Sequence, residues 1–377
     1  MNIPEPIRFQ PDSASLADQL VGLRSVSGVY TLSAGSTPLH LSWSTNLERR
    51  LKRLLVPSSS GTVQGSARLA AKLDSVECWP TGSRLELQIL LYRLAKALYP
   101  ERYLTLLKLR MPWFVAVTAA DGFPRLESTS RLSAKLDVVC GPFRARAAAQ
   151  QYEQEVMSLF QIRRCTDALL PYAEHPGCIY GEMNQCLRPC QGAVSAAEYE
   201  TEADRVRDFL LSNGRRPMAL LASSRERACQ EMDFEQAAQI HKRIEKLKAA
   251  AVLREPVIAE IGQLNGVALT RSSQDGHCML WPMLQGYWQD AITLDLTSHE
   301  PKAESLDSEL REKLSRRLYK PQSEGNRAEE IAVFSRWYYS SWRDGEWFPF
   351  ADLSRLNYRR LVRALSKMAQ AEPVSAR

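Results

Sequence analysis

Four of the chain's eight cysteines lie in one short segment, at Cys165, Cys178, Cys186 and Cys190, with 12, 7 and 3 residues between them. Prolines and glycines interrupt this segment, so a long helix or strand does not fit it and it needs another source of stability. Four thiolates can close a tetrahedral zinc site or hold an iron–sulfur cluster, and either adds folding free energy. The spacing matches neither a zinc ribbon nor a ferredoxin. Spacing alone favours zinc, and an iron–sulfur cluster or four unligated thiols stay open.

The overall composition indicates a multidomain protein of a reducing compartment. A length of 377 residues predicts about two to three domains, and 45% hydrophobic residues allow substantial cores. The amino-terminal residues are polar and there is no 18-residue apolar run, so we expect a soluble, cytoplasmic protein without a membrane segment. The other cysteines lie singly, as reduced thiols do. The net charge of +6 is compatible with a polyanionic partner and carries little weight alone.

The amino-terminal region predicts a β-hairpin followed by a basic helix. Two apolar runs, Gly28–Leu32 and Pro38–Leu41, flank a turn-forming segment. The helix predicted from Asn46 to Leu55 carries four cations, Arg49, Arg50, Lys52 and Arg53. These cations form a candidate phosphate-binding surface, although a charged helix face is more often simply solvated.

Further along the chain, periodic patterns predict several helices. The helix from Leu85 to Leu98 has two apolar faces, one with Leu85, Ile89, Tyr92 and Lys96 and the other with leucines, and Pro100 ends it. Ser195 and Glu198 form a capping-box pattern. Residues 217–251 predict a helical hairpin, whose second helix carries a seam at Ala237, Ile240, Ile244, Leu247 and Ala251.

The carboxy-terminal region changes to short strands followed by charged helices. The segments NGVALTR, CMLWPMLQ and YWQDAITLDL predict an antiparallel meander. Aromatic residues and arginines then gather between Arg336 and Phe348, which indicates either core packing or a surface on which bases stack. The fold class expected for the whole chain is therefore α+β.

A series of short motifs, found in one order between Val26 and Ala251, resembles the UvrC family, the excinucleases of bacterial nucleotide excision repair. The motifs are GVY at Gly28–Tyr30, NLERRL at Asn46–Leu51, PERY at Pro100–Tyr103, FPRL at Phe123–Leu126, GPF at Gly141–Phe143, FQIRRC at Phe160–Cys165, CLRPC-QG at Cys186–Gly192 and MDFEQAAQIHKRI at Met232–Ile244. The resemblance implies a GIY-YIG nuclease-like domain and a hairpin that contacts UvrB. It also implies a [4Fe-4S] cluster on Cys165, Cys178, Cys186 and Cys190, with zinc as the alternative.

The resemblance also predicts where the nuclease site departs from the family. A GIY-YIG site uses a tyrosine or equivalent base, an arginine for the phosphate charge and a glutamate for a divalent metal. Tyr30 and Arg50 match the first two roles, and His40 falls where the family has its second motif tyrosine. Leu91 falls on the metal-binding glutamate, and a leucine cannot ligate Mg²⁺. Glu86 matches only an earlier, non-catalytic acid of the family, so a divalent cation at this site is doubtful.

Two further departures follow from the same resemblance. Only about 125 residues follow Ala251, too few for the family's ribonuclease-H-like domain and its tandem helix-hairpin-helix module, so we expect the second incision activity to be missing. In the hairpin, His241 and Lys242 stand where the family has Arg-Asp, which puts the usual UvrB contacts in doubt. The segments expected are 1–104 nuclease-like, 105–212 linker with the cysteines, 213–252 helical hairpin and 253–377 of unknown role.

Three functions are compatible with these observations. The first is a UvrC-like, DNA-repair-associated protein that binds DNA without full excinuclease activity. The second is an active structure-specific endonuclease that makes one incision with Tyr30, His40 and Arg50. The third is a non-catalytic adaptor that docks a UvrB-like protein through residues 217–251.

Overall fold

The structure is a computed structural model that describes residues 3–11, 16–35, 37–55, 73–118, 122–296, 306–318 and 326–370. The chain divides into two compact units: Met1–Arg110 together with Asn265–Arg377, and Met111–Leu264. We call them the first and second units. The four segments expected from the sequence rest on the family resemblance. Their boundaries remain predictions, because the division into two units is coarser.

The amino-terminal part of the first unit is a four-stranded antiparallel sheet with helices on both faces. Its strands are β1 (Ile7–Phe9), β2 (Ser27–Ala34), β3 (Thr37–Ser44) and β4 (Ser75–Thr81), in the spatial order β1-β4-β2-β3. Its helices are α1 (Leu16–Gln19), α2 (Leu47–Leu55), α3 (Arg84–Leu98) and α4 (Tyr103–Leu107). The predicted hairpin is β2–β3, and the predicted basic helix is α2.

Side chains of β2 alternate between two cores, as the period of a strand requires. Tyr30 packs in a buried cluster with residues of α2 such as Leu51. Val29 packs on the other side, in a cluster with residues of α3 such as Leu90. Gly28 sits where β2 and β4 approach closely, because an added Cβ would lie 2.3 Å from the carbonyl oxygen of Trp79.

The second unit begins with a sheet that carries one long helix. Its strands are β5 (Trp113–Thr118), β6 (Leu126–Thr129), β7 (Leu136–Phe143) and, much later in the chain, β8 (Ala259–Glu260), in the order β6-β5-β7-β8. Helix α5 (Arg146–Leu159) leads towards the cysteine segment, which contains only the short helix α6 (Ile179–Glu182) and a 3-10 turn.

Three helices complete the second unit: α7 (Ala196–Ser212), α8 (Arg215–Gln230) and α9 (Phe234–Val252). The predicted capping box is present at the start of α7, where Ser195 and Glu198 satisfy each other's backbone N–H groups. Helices α8 and α9 form the predicted hairpin. Their seam differs from the prediction at its end, since Ala250 is fully buried and Ala251 only partly. The 3.6-residue turn of the helix brings Ala250 onto the buried face.

The carboxy-terminal part of the first unit is a five-stranded antiparallel sheet with three helices. The strands are β9 (Gly266–Arg271), β10 (His277–Leu284), β11 (Tyr287–Trp288), β12 (Ile292–Asp295) and β13 (Glu346–Pro349), and the helices are α10 (Leu306–Leu318), α11 (Arg327–Tyr338) and α12 (Tyr358–Gln370). Strands β9 to β12 are the predicted meander. One buried cluster joins this sheet to α10 and α12, with Leu269, Leu310 and Leu361 among its members.

The observed architecture confirms the α+β class. Every strand pairing recorded in the described ranges is antiparallel. None of the described helices combines the length and the apolar character that a bilayer-spanning segment needs.

Candidate functional site

The first unit brings together three residues that the sequence singled out, Tyr30, His40 and Arg50. Tyr30 is fully buried on β2, and its hydroxyl accepts a hydrogen bond from Nε of Arg50 on α2 at 3.0 Å. His40 lies on the neighbouring edge strand β3, with its ring centroid 5.9 Å from that of Tyr30. A half-buried guanidinium held in this way can meet the negative charge of a phosphate.

His40 is the exposed member of this group. Partial shielding of its ring, and then the charge of Arg50, lower the pKa of His40 below its ordinary value. The imidazole is therefore neutral near pH 7, which is the form that accepts a proton.

In the described part of the chain, Arg50 has no acidic partner. Within the described ranges, no acidic side chain lies at ion-pair distance from Arg50, and no three His, Cys, Asp or Glu side chains are placed to hold a metal ion. Leu91 packs against the α3-side core that contains Val29, whereas Tyr30 belongs to the core on the α2 side. Leu91 thus lies on the opposite face of the sheet from the Tyr30 ring.

Glu86 is engaged elsewhere, at the start of α3. Its Oε2 accepts a hydrogen bond from the Gly82 N–H at 2.7 Å. Burial, and to a lesser degree the nearby charge of Asp344, raise the pKa of Glu86 to about 7, against the opposing effect of the Gly82 hydrogen bond. Its role in the structure is to cap the helix.

The four cations of α2 have different environments. Arg49 and Arg53 are exposed to solvent, while Lys52 forms an ion pair with Glu48 at 2.8 Å. Arg50 points to Tyr30. Two of the four predicted phosphate-binding side chains are therefore fully available on the surface, and two are partly engaged.

The four cysteines lie on a segment held together by hydrogen bonds from its surroundings. The N–H of Tyr172 donates to the carbonyl oxygen of Cys190 at 3.0 Å, which closes the segment on itself. The N–H of Leu187 donates to the carbonyl oxygen of Gln161, also at 3.0 Å. Arg163 is almost fully buried and donates to the carbonyl oxygens of Phe123 and Asp167. These contacts anchor both ends of a segment that has almost no regular structure.

The thiols are close enough to influence one another electrostatically. Burial raises the pKa of Cys186, and the neighbouring thiols of Cys165, Cys178 and Cys190 raise it further. The same pattern holds for Cys190, whose pKa is raised by burial and then by Cys178 and Cys165. All four are free thiols, and Cys186 is the buried member.

Four soft sulfur donors are the set that zinc and iron–sulfur clusters take. The donor chemistry therefore fits either group. The side-chain positions do not close a site, since none of the described residues forms a group of three metal-ligating side chains.

The helical hairpin presents apolar side chains at its turn. Met232 and Phe234 are 77% and 69% exposed, whereas Ile244 and Leu247 are buried along the seam. His241 and Lys242 are exposed on α9. Exposed apolar residues at a helix turn are a feature of protein-docking surfaces.

The aromatic residues between Arg336 and Phe348 were expected either to pack in the core or to form a surface on which bases stack. Trp337, Trp347 and Phe348 are buried, so these rings belong to the core. Trp342 is 42% exposed and lies outside that core. The rings of this cluster that keep accessible surface are therefore Trp342 and the partly buried Tyr338 and Tyr339.

Sequence reasoning missed a buried polar network in the first unit. Glu329 on α11 is 3% exposed and accepts hydrogen bonds from the hydroxyls of Tyr92 at 2.7 Å and Tyr103 at 2.8 Å. The apolar face with Tyr92 was visible in the sequence, but nothing local indicated its partner. The network fastens α3 and α4 to the carboxy-terminal part of the same unit.

Comparisons with known proteins identify relatives of part of the chain. Residues 112–209 match the family model described as "UvrC/Cho excinuclease, middle domain". The UvrABC system protein C of Alcanivorax borkumensis is 27% identical over 240 residues, which cover 63% of this chain and 38% of the relative. The protein of the same name from Methylococcus capsulatus is 25% identical over 259 residues, covering 68% and 42%.

This chain is therefore similar to UvrC proteins over a part of their length. It spans about two fifths of the curated relatives that it matches. The UvrABC system protein C of Shigella dysenteriae has a comparable match, 27% identical and covering 59% of this chain and 39% of the relative. No solved structure matches the chain.

Proposed function

We propose that this protein is a UvrC-like, DNA-repair-associated protein of the cytoplasm that binds DNA and lacks full excinuclease activity. The observation that carries the proposal is the hydrogen bond from Arg50 to Tyr30, in a group where no described acidic side chain pairs with Arg50 and where Leu91 stands at the position expected for the metal-binding glutamate. The guanidinium and the exposed cations Arg49 and Arg53 would hold backbone phosphates. A leucine at position 91 supplies no oxygen ligand for a hard divalent cation.

The test is incubation of the purified chain with nicked, flapped and bulged DNA in Mg²⁺ and in Mn²⁺. We expect salt-dependent binding and no cleavage. Arg49→Ala and Arg50→Ala should weaken binding by similar factors, because each removes one phosphate contact. Cleavage that Arg50→Ala abolishes and Arg49→Ala retains would overturn the proposal, because only Arg50 contacts Tyr30.

The second candidate is an endonuclease of the GIY-YIG type that makes one incision. The neutral, exposed imidazole of His40 beside Tyr30 is the observation that favours it, because such a group can take a proton from water. His40→Gln separates the two candidates. It would abolish incision by an active enzyme and leave DNA binding unchanged in a protein that only binds.

For the cysteine segment we propose a metal centre on Cys165, Cys178, Cys186 and Cys190, with a [4Fe-4S] cluster as the first assignment and zinc as the alternative. The bound group would supply structural cross-linking of this irregular segment. The mutual influence of the thiols and the anchoring of the segment by Arg163 support the proposal.

Metal analysis of anaerobically purified protein tests this assignment. We expect a brown protein with iron and acid-labile sulfide, and a colourless protein with stoichiometric zinc would decide for the alternative. Cys186→Ala should lose the metal, while the control Cys229→Ala, on an exposed cysteine of α8, should keep it. A chain that contains neither metal when purified without chelators would overturn the proposal.

A UvrB-like protein is the partner we propose for residues 217–251, and docking alone would make the chain an adaptor. The exposed Met232 and Phe234 at the hairpin turn support this interaction. Titration of a UvrB protein onto the chain, compared with the variant Phe234→Ala, tests it. We expect a complex that the variant weakens at least tenfold, and equal affinities would remove the hairpin turn from the interface.

A further inference from the structure

Helix α12, Tyr358–Gln370, has an unusual charge distribution. It carries Arg359, Arg360, Arg363 and Lys367, and the chain contains no Asp or Glu between Asp352 and Glu372. Three of these cations, Arg359, Arg363 and Lys367, recur every four residues and are exposed to solvent. We call these three residues the cationic row.

The geometry of an α-helix aligns the cationic row along one side. Residues four apart lie on neighbouring turns, separated by about 6 Å along the axis and by about 40° around it. The row from Arg359 to Lys367 therefore spans about 12 Å. One strand of a duplex advances about 3.4 Å per phosphate, so this length matches three to four steps from one phosphate to the next.

The charges of the cationic row are not neutralised by neighbours. Across the described part of the chain, the side chains of Arg359, Arg363 and Lys367 take part in no recorded ion pair or hydrogen bond. Arg360 differs, because it lies 3.5 Å from Glu346 and over the ring of Phe348.

Helix α10 of the same unit shows the opposite arrangement and serves as an internal comparison. Lys313 pairs with Glu309 and Arg316 with Glu312, each one helical turn away. Arg317 pairs with Asp290. Both helices are rich in cations, but only α12 leaves a row of them uncompensated.

The opposite side of α12 argues against insertion of this helix into a membrane. Tyr358, Leu361, Ala364 and Leu365 are buried in the carboxy-terminal core, so the apolar face that would enter a bilayer is already covered. Insertion of a basic helix into the bilayer interface requires that face to be free. A nucleic-acid backbone needs only the cations.

We propose that the cationic row of α12 is a second nucleic-acid-binding surface, which holds the sugar-phosphate backbone without reading its sequence. This surface lies in the region that had no expected role, and it is separate from the α2 cations of the proposed function. The proposed function motivates DNA as the first probe. The row itself recognises a feature that DNA and RNA share.

The test compares two variants with equal loss of charge. In the first, Arg359, Arg363 and Lys367 are all replaced by alanine, and in the control the same is done to Lys313, Arg316 and Arg317 of α10. Affinities for duplex DNA, single-stranded DNA, duplex RNA and anionic vesicles are measured between 50 and 200 mM salt. Circular dichroism and thermal unfolding confirm that both variants fold as the unaltered chain does.

For duplex DNA we expect the first variant to lower the salt slope by about 2.7, at roughly 0.9 per lost phosphate contact. Over the fourfold salt range, the unaltered chain should then lose about 40-fold more affinity than this variant. For single strands the slope should fall by about 2. The control variant should leave the slope unchanged.

Equal salt slopes in the two variants would overturn the proposal. So would a loss confined to anionic vesicles, which would make lipid the ligand. Alanine at Arg49, Lys52 and Arg53 of α2 separates this inference from the proposed function. If only the α2 variant loses binding, DNA binding by the cationic row is refuted and the proposed function stands. If only the α12 variant loses binding, the cationic row is supported and the α2 cations are excluded as a DNA-binding surface.

Discussion

Replacement of Glu329 by alanine should strongly destabilise the first unit. The carboxylate is 3% exposed and accepts one hydrogen bond from each of Tyr92 and Tyr103, with Lys96 Nζ at 3.5 Å. A hydrogen bond to a charged acceptor contributes about 1.5–3 kcal/mol, and an orphaned buried hydroxyl adds a further cost. Tyr92 is itself 3% exposed, so water does not replace the lost acceptor. We expect a loss of about 3–5 kcal/mol.

A double-mutant cycle with Tyr92→Phe isolates the contact. In the unaltered chain, Tyr92→Phe removes the hydrogen bond donated to Glu329, at a cost of about 2 kcal/mol, and the one that the hydroxyl accepts from Lys96 Nζ at 3.2 Å. In the Glu329→Ala background, the same change removes only the hydrogen bond from Lys96, whose cost is common to both backgrounds and cancels in the cycle. The expected coupling free energy is therefore about 2 kcal/mol.

Urea unfolding followed by tryptophan fluorescence measures these differences. Trp113 is the only one of the eight tryptophans outside the first unit, so the signal reports mainly on that unit. Glu312→Ala, which removes an exposed carboxylate paired with Arg316, is the control and should change the midpoint little. A coupling below about 0.5 kcal/mol would refute the reasoning, because the two side chains would then act independently.

Two further perturbations have equally defined outcomes. Glu86 binds a proton in the folded state up to about pH 7, whereas its ordinary pKa is 4.5, so the unfolded chain releases that proton first. The free energy of unfolding should therefore fall as the pH rises from about 4.5 to about 7. Glu86→Gln should remove this decline and stabilise the chain at pH 8 by up to about 3 kcal/mol, as measured by urea unfolding. A variant with the same pH dependence as the unaltered chain would contradict the raised pKa of Glu86. Gly28→Ala should cost about 2–4 kcal/mol, because its Cβ would meet the Trp79 backbone at 2.3 Å, while Gly22→Ala, with nothing within 4 Å, should be neutral in thermal unfolding. Equal midpoints for the two glycine variants would show that β2 can move away from β4.

Local features of this fold were predictable from residue spacing. The capping box at Ser195 and Glu198 formed as expected, since both groups lie within one turn. The hairpin β2–β3 and the helical pair α8–α9 also follow patterns of a few residues. These elements depend on interactions between near neighbours in the chain, which the order of residues already specifies.

The candidate site was predictable only in part. Tyr30, His40 and Arg50 were identified through resemblance, and the structure places them around one contact. That Leu91 lies on the opposite face of the sheet from Tyr30 could not be read from spacing, because it depends on which core α3 joins. The spacing of the cationic row was visible in the sequence. Its lack of partners was not, because neutralisation depends on which acids fold next to it.

The sequence by itself determined the α+β class and most of the helices and strands, and it singled out the candidate metal and phosphate ligands. Only the tertiary structure decided which element packs on the apolar face of each helix and strand. The two apolar faces of α3 were apparent from the spacing of its residues. The hydrogen-bond partner of Tyr92 on this helix, Glu329, lies 237 residues further along the chain. Periodicity reports that a face must be buried, whereas the choice of the covering element depends on long-range packing, which no local pattern encodes.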